Sequence, residues 1–399
     1  MRTARKDNSL TLFLEGRIDS NNAAQVEREA LAAVAEAPGA ELALDAEGLE
    51  YISSAGLRVL MKLRKQAKKA LPVLNVSPEV YEIFDVTGFT DLLDVQKALR
   101  TISVEGCEQI GQGGNGTVFR LDEDTIVKVY KPWMVLSDIQ RERDFARTAF
   151  VNGIPSVIAY DVVKVPTAEG VCLGVVFEML SSGTLGAAVR EHPEKMDEYV
   201  DKYVELAKTL HTTHVPAGSF GNIKDVYHHH AANMSQWLSE EEVNLLHSII
   251  DDIPDADTVT HNDLHPGNIM IQGDELVLID MPEVTVGPPI CDLVSIFRDM
   301  ISAPSGAEAG SIERSVGMPA QLIMAMGNKF FMKYTGITDP AALQEYYKKI
   351  GLLYAFNVSL VPGSGSEKAV QLAPILIEKL FHGIVVPNEQ AIRYLFKTM

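Results

Sequence analysis

The sequence predicts two domains, a small α/β domain over residues 1–100 and a larger α+β domain over residues 101–399. Up to residue 97, short β-favouring runs alternate with amphipathic helical runs, which is typical of a mostly parallel sheet. After Arg100, three strand-like runs follow one another without an intervening helix, which indicates an antiparallel meander. From Thr184 onward, helical periodicity dominates the pattern of apolar residues.

Each element of the first domain has a local signal. Alternating leucines predict the first strand, serine and aspartate mark helix starts, and a proline is favoured in a first helical turn. The predicted order is a strand at 10–14, a helix from Asp19-Ser20 to Pro38-Gly39, a strand at 42–46, a helix from Ser53, a strand at 72–76 and a helix from Ser77-Pro78 to Gly88.

The second domain is expected to have two lobes, a β-rich N-lobe over about 101–180 and a helical C-lobe over about 181–399. Period-2 alternation defines its strands, and a serine before an apolar-periodic run marks its first helix. The predicted elements are strands at 103–110, 117–121 and 125–130, a helix capped by Ser137, a strand pair at 157–165 and 171–178, and a strand–turn–strand at 268–280.

The composition narrows the function classes. A net charge of −19 disfavours nucleic acid as a partner, because its phosphates would be repelled. The three cysteines, Cys107, Cys172 and Cys291, lack metal-ligand or disulfide spacing, which fits a reducing cytosol. No apolar run approaches the roughly 20 residues that a membrane-spanning helix needs, and no signal-peptide pattern follows Met1. We therefore expect a cytoplasmic protein without a membrane span.

Residues 111–118 contain the pattern Gly-x-Gly-x-x-Gly-x-Val, with its glycines at Gly111, Gly113 and Gly116. The same spacing opens dinucleotide-binding folds, but there the glycines lead into a helix. Here they lead into residues 117–121, which are β-favouring and alternate in polarity. The pattern therefore predicts a strand–glycine loop–strand unit of the kinase type, in which backbone N–H groups cover the phosphates of a nucleotide.

Lys128 is expected to hold those phosphates. It lies between apolar residues on the strand after the glycine loop, and a buried lysine requires a phosphate or carboxylate partner. Glu142, on the helix expected to begin at Ser137, is the candidate partner, although Asp138 and Asp144 lie on the same helix. The alternative for Lys128 is an edge-strand lysine that points to water.

Residues 261–268 contain the pattern His-x-Asp-x-x-x-x-Asn, and the apolar strand that follows ends in Asp280. Phosphoryl transfer requires a carboxylate that orients and deprotonates the acceptor hydroxyl, and Asp263 fits this role. It also requires oxygen ligands for Mg²⁺, a hard cation, and Asn268 and Asp280 supply them. We therefore predict Asp263 as the catalytic base and Asn268 and Asp280 as the metal ligands.

These motifs give residues 103 to about 385 a resemblance to the aminoglycoside phosphotransferase and choline kinase branch of the protein-kinase-like superfamily. The run at 261–268 and the later Cys291-Asp292-Leu293 carry the resemblance. It implies a bilobal protein-kinase-like fold and ATP as the phosphate donor, although the sequence does not choose ATP over GTP.

The resemblance also implies roles for residues around the site. In that family, an aspartate at the position of Asp292 supports the catalytic loop, which corresponds to residues 261–268 here, so Asp292 is expected to do the same. His261 is expected to pack and form hydrogen bonds rather than to catalyse. Residues 176–180, including Glu178 and Leu180, match the strand and hinge that contact adenine through backbone groups.

Departures from protein kinases point to a small acceptor. Asn262 stands where those enzymes have an arginine that reads activation-loop phosphorylation, and Met281 follows Asp280 instead of Phe-Gly. The stretch from Asp280 to Asp292 is too short for the segment that supports a peptide substrate. We therefore expect the phosphate acceptor to be a small-molecule hydroxyl or amine.

Residues 49–60 resemble the core motif of STAS domains, the fold of anti-sigma factor antagonists, and the resemblance covers roughly residues 8–98. Aligned on Gly56, the phosphorylatable serine of that family falls on Ser54, while Ser53 stands where the family often has aspartate. Ser54 at a helix N-terminus is a candidate phosphosite, because free N–H groups and the helix dipole favour a phosphate there. The alternative is that Ser53 or Ser54 only caps the helix.

Two functional hypotheses follow. In the first, the chain is an ATP- and Mg²⁺-dependent phosphotransferase acting on a small molecule, regulated by the STAS module. In the second, the STAS module binds a protein partner of the anti-sigma factor type and the kinase-like domain phosphorylates a protein, with Ser54 as one candidate. Whether the STAS module binds a protein or a small ligand stays open.

Overall fold

The computed structural model describes residues 1–6, 8–67, 70–306 and 308–399. It divides into two compact units, Met1–Ile102 and Ser103–Met399. The first unit is an α/β domain built on a five-stranded sheet with the order β1-β2-β3-β4-β5. Strand β1 is antiparallel to β2, and the other neighbours are parallel. Its elements are β1 Thr3–Lys6, β2 Ser9–Ile18, α1 Ala23–Ala35, β3 Glu41–Ile52, α2 Ser54–Gln66, β4 Pro72–Val76, α3 Pro78–Val86 and β5 Asp94–Lys97.

The leucines that predict β2 form part of the core of this unit. Leu10, Leu12 and Leu14 are all buried, so one face of the strand is turned inward, as the alternation predicts. Helix α2 packs closely against strands of the sheet, because a Cβ on Gly56 would lie 2.6 Å from the Ile52 side chain. The Ser53 hydroxyl caps α2 by accepting a hydrogen bond from the Gly56 N–H at 3.5 Å.

Strands β1 and β5 have no counterpart in the sequence prediction, and β3 is longer than the predicted strand at 42–46. Strand β1, with the sequence Thr-Ala-Arg-Lys, is exposed along its whole length, so no apolar alternation marks it. Helix α1 follows Asn22, whose side chain does not cap the helix, so the predicted Asp19-Ser20 cap is wrong.

The second unit begins with an antiparallel five-stranded sheet of the order β6-β7-β8-β10-β9. In the chain, helix α4 lies between strands β8 and β9. These elements are β6 Gln109–Gln112, β7 Gly116–Arg120, β8 Thr125–Tyr130, α4 Leu136–Val151, β9 Ala159–Thr167 and β10 Gly170–Glu178.

The rest of the second unit is helical apart from short strands, as predicted. Helices α5 to α14 are Leu185–Glu191, Met196–Thr212, Ile223–Asn233, Glu240–Asp251, Ile290–Phe297, Ala309–Val316, Ala320–Thr335, Pro340–Ser359, Glu367–Leu376 and Glu389–Thr398. Strands β11 to β15 are Gly221–Asn222, Val259–Thr260, Ile269–Gln272, Glu275–Leu278 and Thr285–Val286. Two π-helical segments, Arg298–Ser302 and Ile377–Val385, extend α9 and α13.

Two local predictions for the second unit are wrong. The strand expected at 103–110 begins only at Gln109 and runs to Gln112, because residues 103–108 are irregular apart from a turn at 105–106. Helix α4 begins one residue before Ser137, after Val135, whose apolar side chain forms no cap hydrogen bond. The strand–turn–strand predicted at 268–280 is confirmed by the antiparallel pair β13 and β14.

One continuous helical segment, Glu367–Thr398, is long and apolar enough to span a membrane by length and composition alone. Its most apolar 18-residue window has a mean hydropathy of 1.5, and 28% of that window is buried. Packed helices of soluble proteins also meet this criterion, and Phe381, Ile392 and Phe396 of this segment are buried in the fold.

Candidate functional site

The glycine loop joins β6 and β7 and borders a cleft of about 470 Å³. The Gly113 N–H closes the loop by donating to the Gly116 carbonyl at 2.9 Å. Gly116 packs directly on the next strand, since a Cβ there would lie 2.4 Å from the Val129 carbonyl oxygen. The predicted residues Gly111, Gly113, Gly116, Lys128, Glu142, Glu178, Leu180, Asn268 and Asp280 all line this cleft.

Lys128 points into the cleft and contacts two carboxylates. Its ammonium group donates to Glu142 Oε1 at 2.7 Å and to Asp280 Oδ1 at 2.8 Å. Burial alone would lower the pKa of Lys128, but the two negative charges outweigh burial and raise it. The same ion pair outweighs the effect of burial on Asp280 and lowers its pKa. The structure thus pairs Lys128 with Glu142, and not with Asp138 or Asp144.

The side chain of Glu178 is used within the protein. Its carboxylate accepts a hydrogen bond from the Ile158 N–H at 2.7 Å. The Met179 N–H donates to the Asp124 carbonyl, also at 2.7 Å. Leu180 is buried beside the cleft. A ligand in this part of the cleft would therefore meet apolar surface and backbone rather than the Glu178 carboxylate.

The catalytic-loop residues Asp263 and Asn268 are hydrogen-bonded to each other. Asn268 Nδ2 donates to the Asp263 carbonyl at 3.0 Å and to its Oδ2 at 2.9 Å. Asn262 and Asp280 both have positive φ, +64° and +60°. Such backbone conformations are uncommon for residues other than glycine and occur often at functional sites.

Asp292 lies buried beneath this loop and holds its backbone. Its Oδ2 accepts from the His261 N–H at 2.8 Å and from His211 Nε2 at 3.0 Å, and its Oδ1 accepts from the Asn262 N–H. Burial would raise the pKa of Asp292, but these hydrogen bonds and the neighbouring histidines outweigh it and lower the pKa. His261 itself is buried, and its Nε2 lies 3.2 Å from the Ile279 carbonyl.

A residue that the sequence patterns did not single out also contacts Asp263. Arg298 Nη2 donates to Asp263 Oδ1 at 2.9 Å and to Asp299 Oδ2 at 2.7 Å. No motif marks Arg298. Its signal in the sequence is the charged pair Arg298-Asp299 in a mostly apolar stretch shortly after Asp292.

A second cavity of about 540 Å³ lies beside the catalytic loop. Asn262 and Arg298 line it, together with apolar and aromatic residues such as Phe145 and Tyr227. Glu283 also lines it. Loss of hydration around its carboxylate, followed by the negative charge of Asp263, raises the pKa of Glu283. Because Asn268 lines the cleft and Arg298 lines this cavity, the Asp263 carboxylate that both contact lies between the two.

Ser54, in the first unit, is the first residue of α2 and is exposed. The cap hydrogen bond is made by Ser53, so the Ser54 hydroxyl has no capping role.

The three consecutive histidines at 228–230 lie within helix α7 of the second unit. Among the described residues, no group of three or more His, Cys, Asp or Glu side chains could hold a metal ion.

Comparisons with known proteins match each unit separately. The model of the phosphotransferase enzyme family matches residues 106–321, and the model of the Mlab STAS domain matches residues 1–94. A putative anti-sigma factor antagonist of Bordetella bronchiseptica, BtrV, is 38% identical over 92 residues, which are 22% of this chain and 78% of the relative. The anti-sigma-B factor antagonist of Bacillus subtilis is 34% identical over 92 residues, 22% of this chain and 83% of the relative.

Among solved structures, an ADP-bound aminoglycoside phosphotransferase matches 73% of this chain and 94% of its own, with 15% identity and a TM-score of 0.45. A choline/ethanolamine kinase family protein from Mesorhizobium loti matches 73% and 92%, with 12% identity and a TM-score of 0.43. The family model covers more than half of the chain. The chain therefore belongs to the phosphotransferase enzyme family, as a kinase of the aminoglycoside phosphotransferase type, and carries a STAS domain of the anti-sigma factor antagonist type.

Proposed function

We propose that the chain transfers the γ-phosphate of ATP, in the presence of Mg²⁺, to a hydroxyl or amine of a small molecule, and that its STAS domain regulates this activity. The observation that carries the proposal is the position of Asp263, hydrogen-bonded to one residue of the glycine-loop cleft and to one residue of the second cavity. A base in this position can take the proton from a phosphate acceptor in the cavity while the phosphate donor is bound in the cleft.

The cleft suits a nucleoside triphosphate. The glycine loop offers backbone N–H groups to phosphate oxygens, and Lys128 offers a positive charge that two carboxylates hold in place. Apolar residues near Leu180 offer a surface for a base. The charged Lys128 would contact the α- and β-phosphates, as the equivalent lysine does in kinases.

The donor atoms around Asn268 and Asp280 fit Mg²⁺. Asn268 uses its Nδ2 for Asp263, and Asp280 uses its Oδ1 for Lys128. Within the described chain, no hydrogen bond occupies Asn268 Oδ1 or Asp280 Oδ2, so two hard oxygen ligands remain. Mg²⁺ typically takes one or two such ligands and completes its shell with phosphate oxygens and water. Once bound, Mg²⁺ would supply positive charge that offsets the negative charge of the triphosphate.

In the proposed reaction, Asp263 accepts the proton of the acceptor hydroxyl while the acceptor oxygen forms a bond to the γ-phosphorus. The bond between the γ-phosphorus and the β–γ bridging oxygen breaks, and ADP leaves with that electron pair. Asn268 holds the Asp263 carboxylate through Oδ2, and Asp292 holds the backbone of the loop.

The second cavity supports a small acceptor. Its volume of about 540 Å³ lies in the range of small-molecule sites. Its lining combines aromatic side chains, such as Tyr227, with the charged groups of Glu283 and Arg298. The short stretch between Asp280 and Asp292 leaves no segment of the length that protein kinases use to hold a peptide.

An acceptor screen tests this proposal. The full chain is incubated with Mg-ATP, or Mg-GTP, and a panel of alcohols, amino alcohols, sugars and amines. ADP release and phosphorylated products are then followed by coupled assay and mass spectrometry. Phosphate on a panel member supports the proposal. Transfer to no small molecule, combined with phosphate on a protein, would contradict it.

Ser54 favours a second candidate function, phosphorylation of a protein by the kinase domain. Its side chain is exposed at a helix N-terminus and is not needed for the cap, and the relatives of this domain are anti-sigma factor antagonists. Intact-mass and peptide analysis after incubation with Mg-ATP tests this candidate, with Ser54→Ala as the control. Phosphate on Ser54 in the wild-type chain supports it, and an unmodified chain that consumes ATP with a metabolite argues against it.

A further inference from the structure

Arg298 lies where helix α9 gives way to the π-helical segment Arg298–Ser302. Its guanidinium group forms a two-bond pair with Asp299, from Nε to Oδ1 and from Nη2 to Oδ2, both at 2.7 Å. Nη2 also donates to Asp263 Oδ1 at 2.9 Å. Adjacent residues of a regular α-helix do not face each other, so the pairing of Arg298 with Asp299 depends on the local geometry at this junction.

The contact with Arg298 completes the orientation of the Asp263 carboxylate. The terminal torsion of an aspartate side chain has a broad energy minimum, so one hydrogen bond to Oδ2 leaves the carboxylate plane poorly fixed. Asn268 supplies that one bond. Arg298 supplies the second, on the other oxygen, and two bonds on the two oxygens fix the plane. Each oxygen keeps a further lone pair for an acceptor hydroxyl.

We propose that Arg298 is a positioning residue for phosphoryl transfer, which holds the carboxylate of the base Asp263 in the orientation that receives the acceptor proton. The inference rests on the proposed function. Asp299, whose side chain is 7% exposed, holds the guanidinium group through its two hydrogen bonds. Arg298 therefore acts through Asp263 and needs no contact with ATP.

A guanidinium group is specifically required in this arrangement. Three hydrogen bonds leave Arg298 through two nitrogen atoms in one plane, to two different carboxylates. A lysine ammonium group is a point charge on a flexible chain and cannot reproduce the two-bond pair. Arg298→Lys should therefore retain part of the activity, and Arg298→Ala should lose more.

The test measures phosphate transfer from Mg-ATP by the full chain, to water and to any acceptor found in the screen. Arg298→Ala should lower kcat about a hundredfold, the scale expected when a catalytic group is misplaced by about 1 Å. The Kd for ATP should stay unchanged. Guanidinium chloride, below denaturing concentrations, should restore part of the lost rate in Arg298→Ala and none in Asp263→Asn.

Arg393→Ala is the matched control, because Arg393 is also held by two carboxylates, Asp252 and Glu389, in the second unit. It should leave kcat unchanged. A wild-type kcat in Arg298→Ala overturns the inference. So does a loss of activity that follows a loss of folded protein or of ATP binding and is not rescued by guanidinium.

The proposed function and this inference fail in different ways. If the wild-type chain transfers phosphate to no panel member and phosphate appears on a protein instead, the proposed function fails. Crystal structures of the wild-type chain and of Arg298→Ala then decide the inference alone. A displaced or rotated Asp263 carboxylate in the variant supports it, and an unchanged carboxylate overturns it.

Discussion

Replacing Asp292 by asparagine tests how the catalytic loop is held. The Asp292 carboxylate accepts three hydrogen bonds, from the backbone N–H groups of His261 and Asn262 and from His211 Nε2. An asparagine side chain has one acceptor oxygen and one NH₂ group. In either orientation, the NH₂ group would face at least one backbone N–H donor, so at least one bond is lost.

The magnitude follows from the burial of the site. Asp292 is completely buried, and a hydrogen bond to a charged group contributes about 1.5–3 kcal/mol. The surviving bonds become neutral and therefore roughly half as strong. Together these losses predict that Asp292→Asn lowers the free energy of unfolding of the second unit by about 3–5 kcal/mol, as for other broken buried pairs. That is a large part of the stability of an ordinary domain, about 5–15 kcal/mol.

Urea unfolding of the full chain, followed by tryptophan fluorescence, measures this change. Both tryptophans, Trp133 and Trp237, lie in the second unit. The matched control is Asp257→Asn, because Asp257 also contacts a histidine, His214, but both side chains are 70% exposed. The control should unfold like the wild type. An Asp292→Asn variant that unfolds at the wild-type urea concentration, with wild-type kcat, would refute the bracing role.

Three further predictions concern the cleft and its pH dependence. Lys128→Met should raise the Kd for ATP about 10- to 100-fold, since one charge-assisted contact is lost; calorimetric titration measures this, and an unchanged Kd would place the phosphates elsewhere. Removal of Mg²⁺ with EDTA should reduce phosphate transfer to background without changing the melting temperature of the nucleotide-free chain, because two protein ligands alone hold the ion weakly. The pKa of Asp292 is lowered in the folded chain. Asp292 should therefore stabilise the fold fully above the ordinary aspartate pKa of about 3.9 and lose this contribution as pH falls through the lower folded value. Urea unfolding at several acid pH values should show a smaller decline of the free energy of unfolding in Asp292→Asn than in the wild type.

Local patterns in the sequence predicted most of the fold around the site. The alternating residues Thr125–Tyr130 form strand β8 over the predicted range. An ion pair between Lys128 and Glu142 was predicted, because Lys128 lies in an apolar stretch and Glu142 is an acidic residue on the next helix. The structure contains this ion pair. These features depend on hydrogen-bonding chemistry and periodicity within short stretches of chain, which the sequence displays directly.

Features that depend on distant contacts were not predictable in the same way. Strand β1 is exposed and has no alternation, so only its pairing with β2 defines it as a strand. Helix α4 begins without a capping side chain, so the serine at 137 was a misleading signal. Arg298 contacts Asp263 across 35 positions of chain, and this contact forms because α9 ends beside the catalytic loop.

The most direct test of the central claim is the Asp263→Asn variant, compared with the wild type for ATP binding and for a single turnover. Asparagine keeps the size of the side chain but cannot accept the acceptor proton. We predict that the Kd for Mg-ATP stays within about twofold and that the transfer rate falls by at least about a hundredfold, the lower end of what a general base contributes. A variant that transfers phosphate at the wild-type rate would contradict the assignment of Asp263 as the catalytic base.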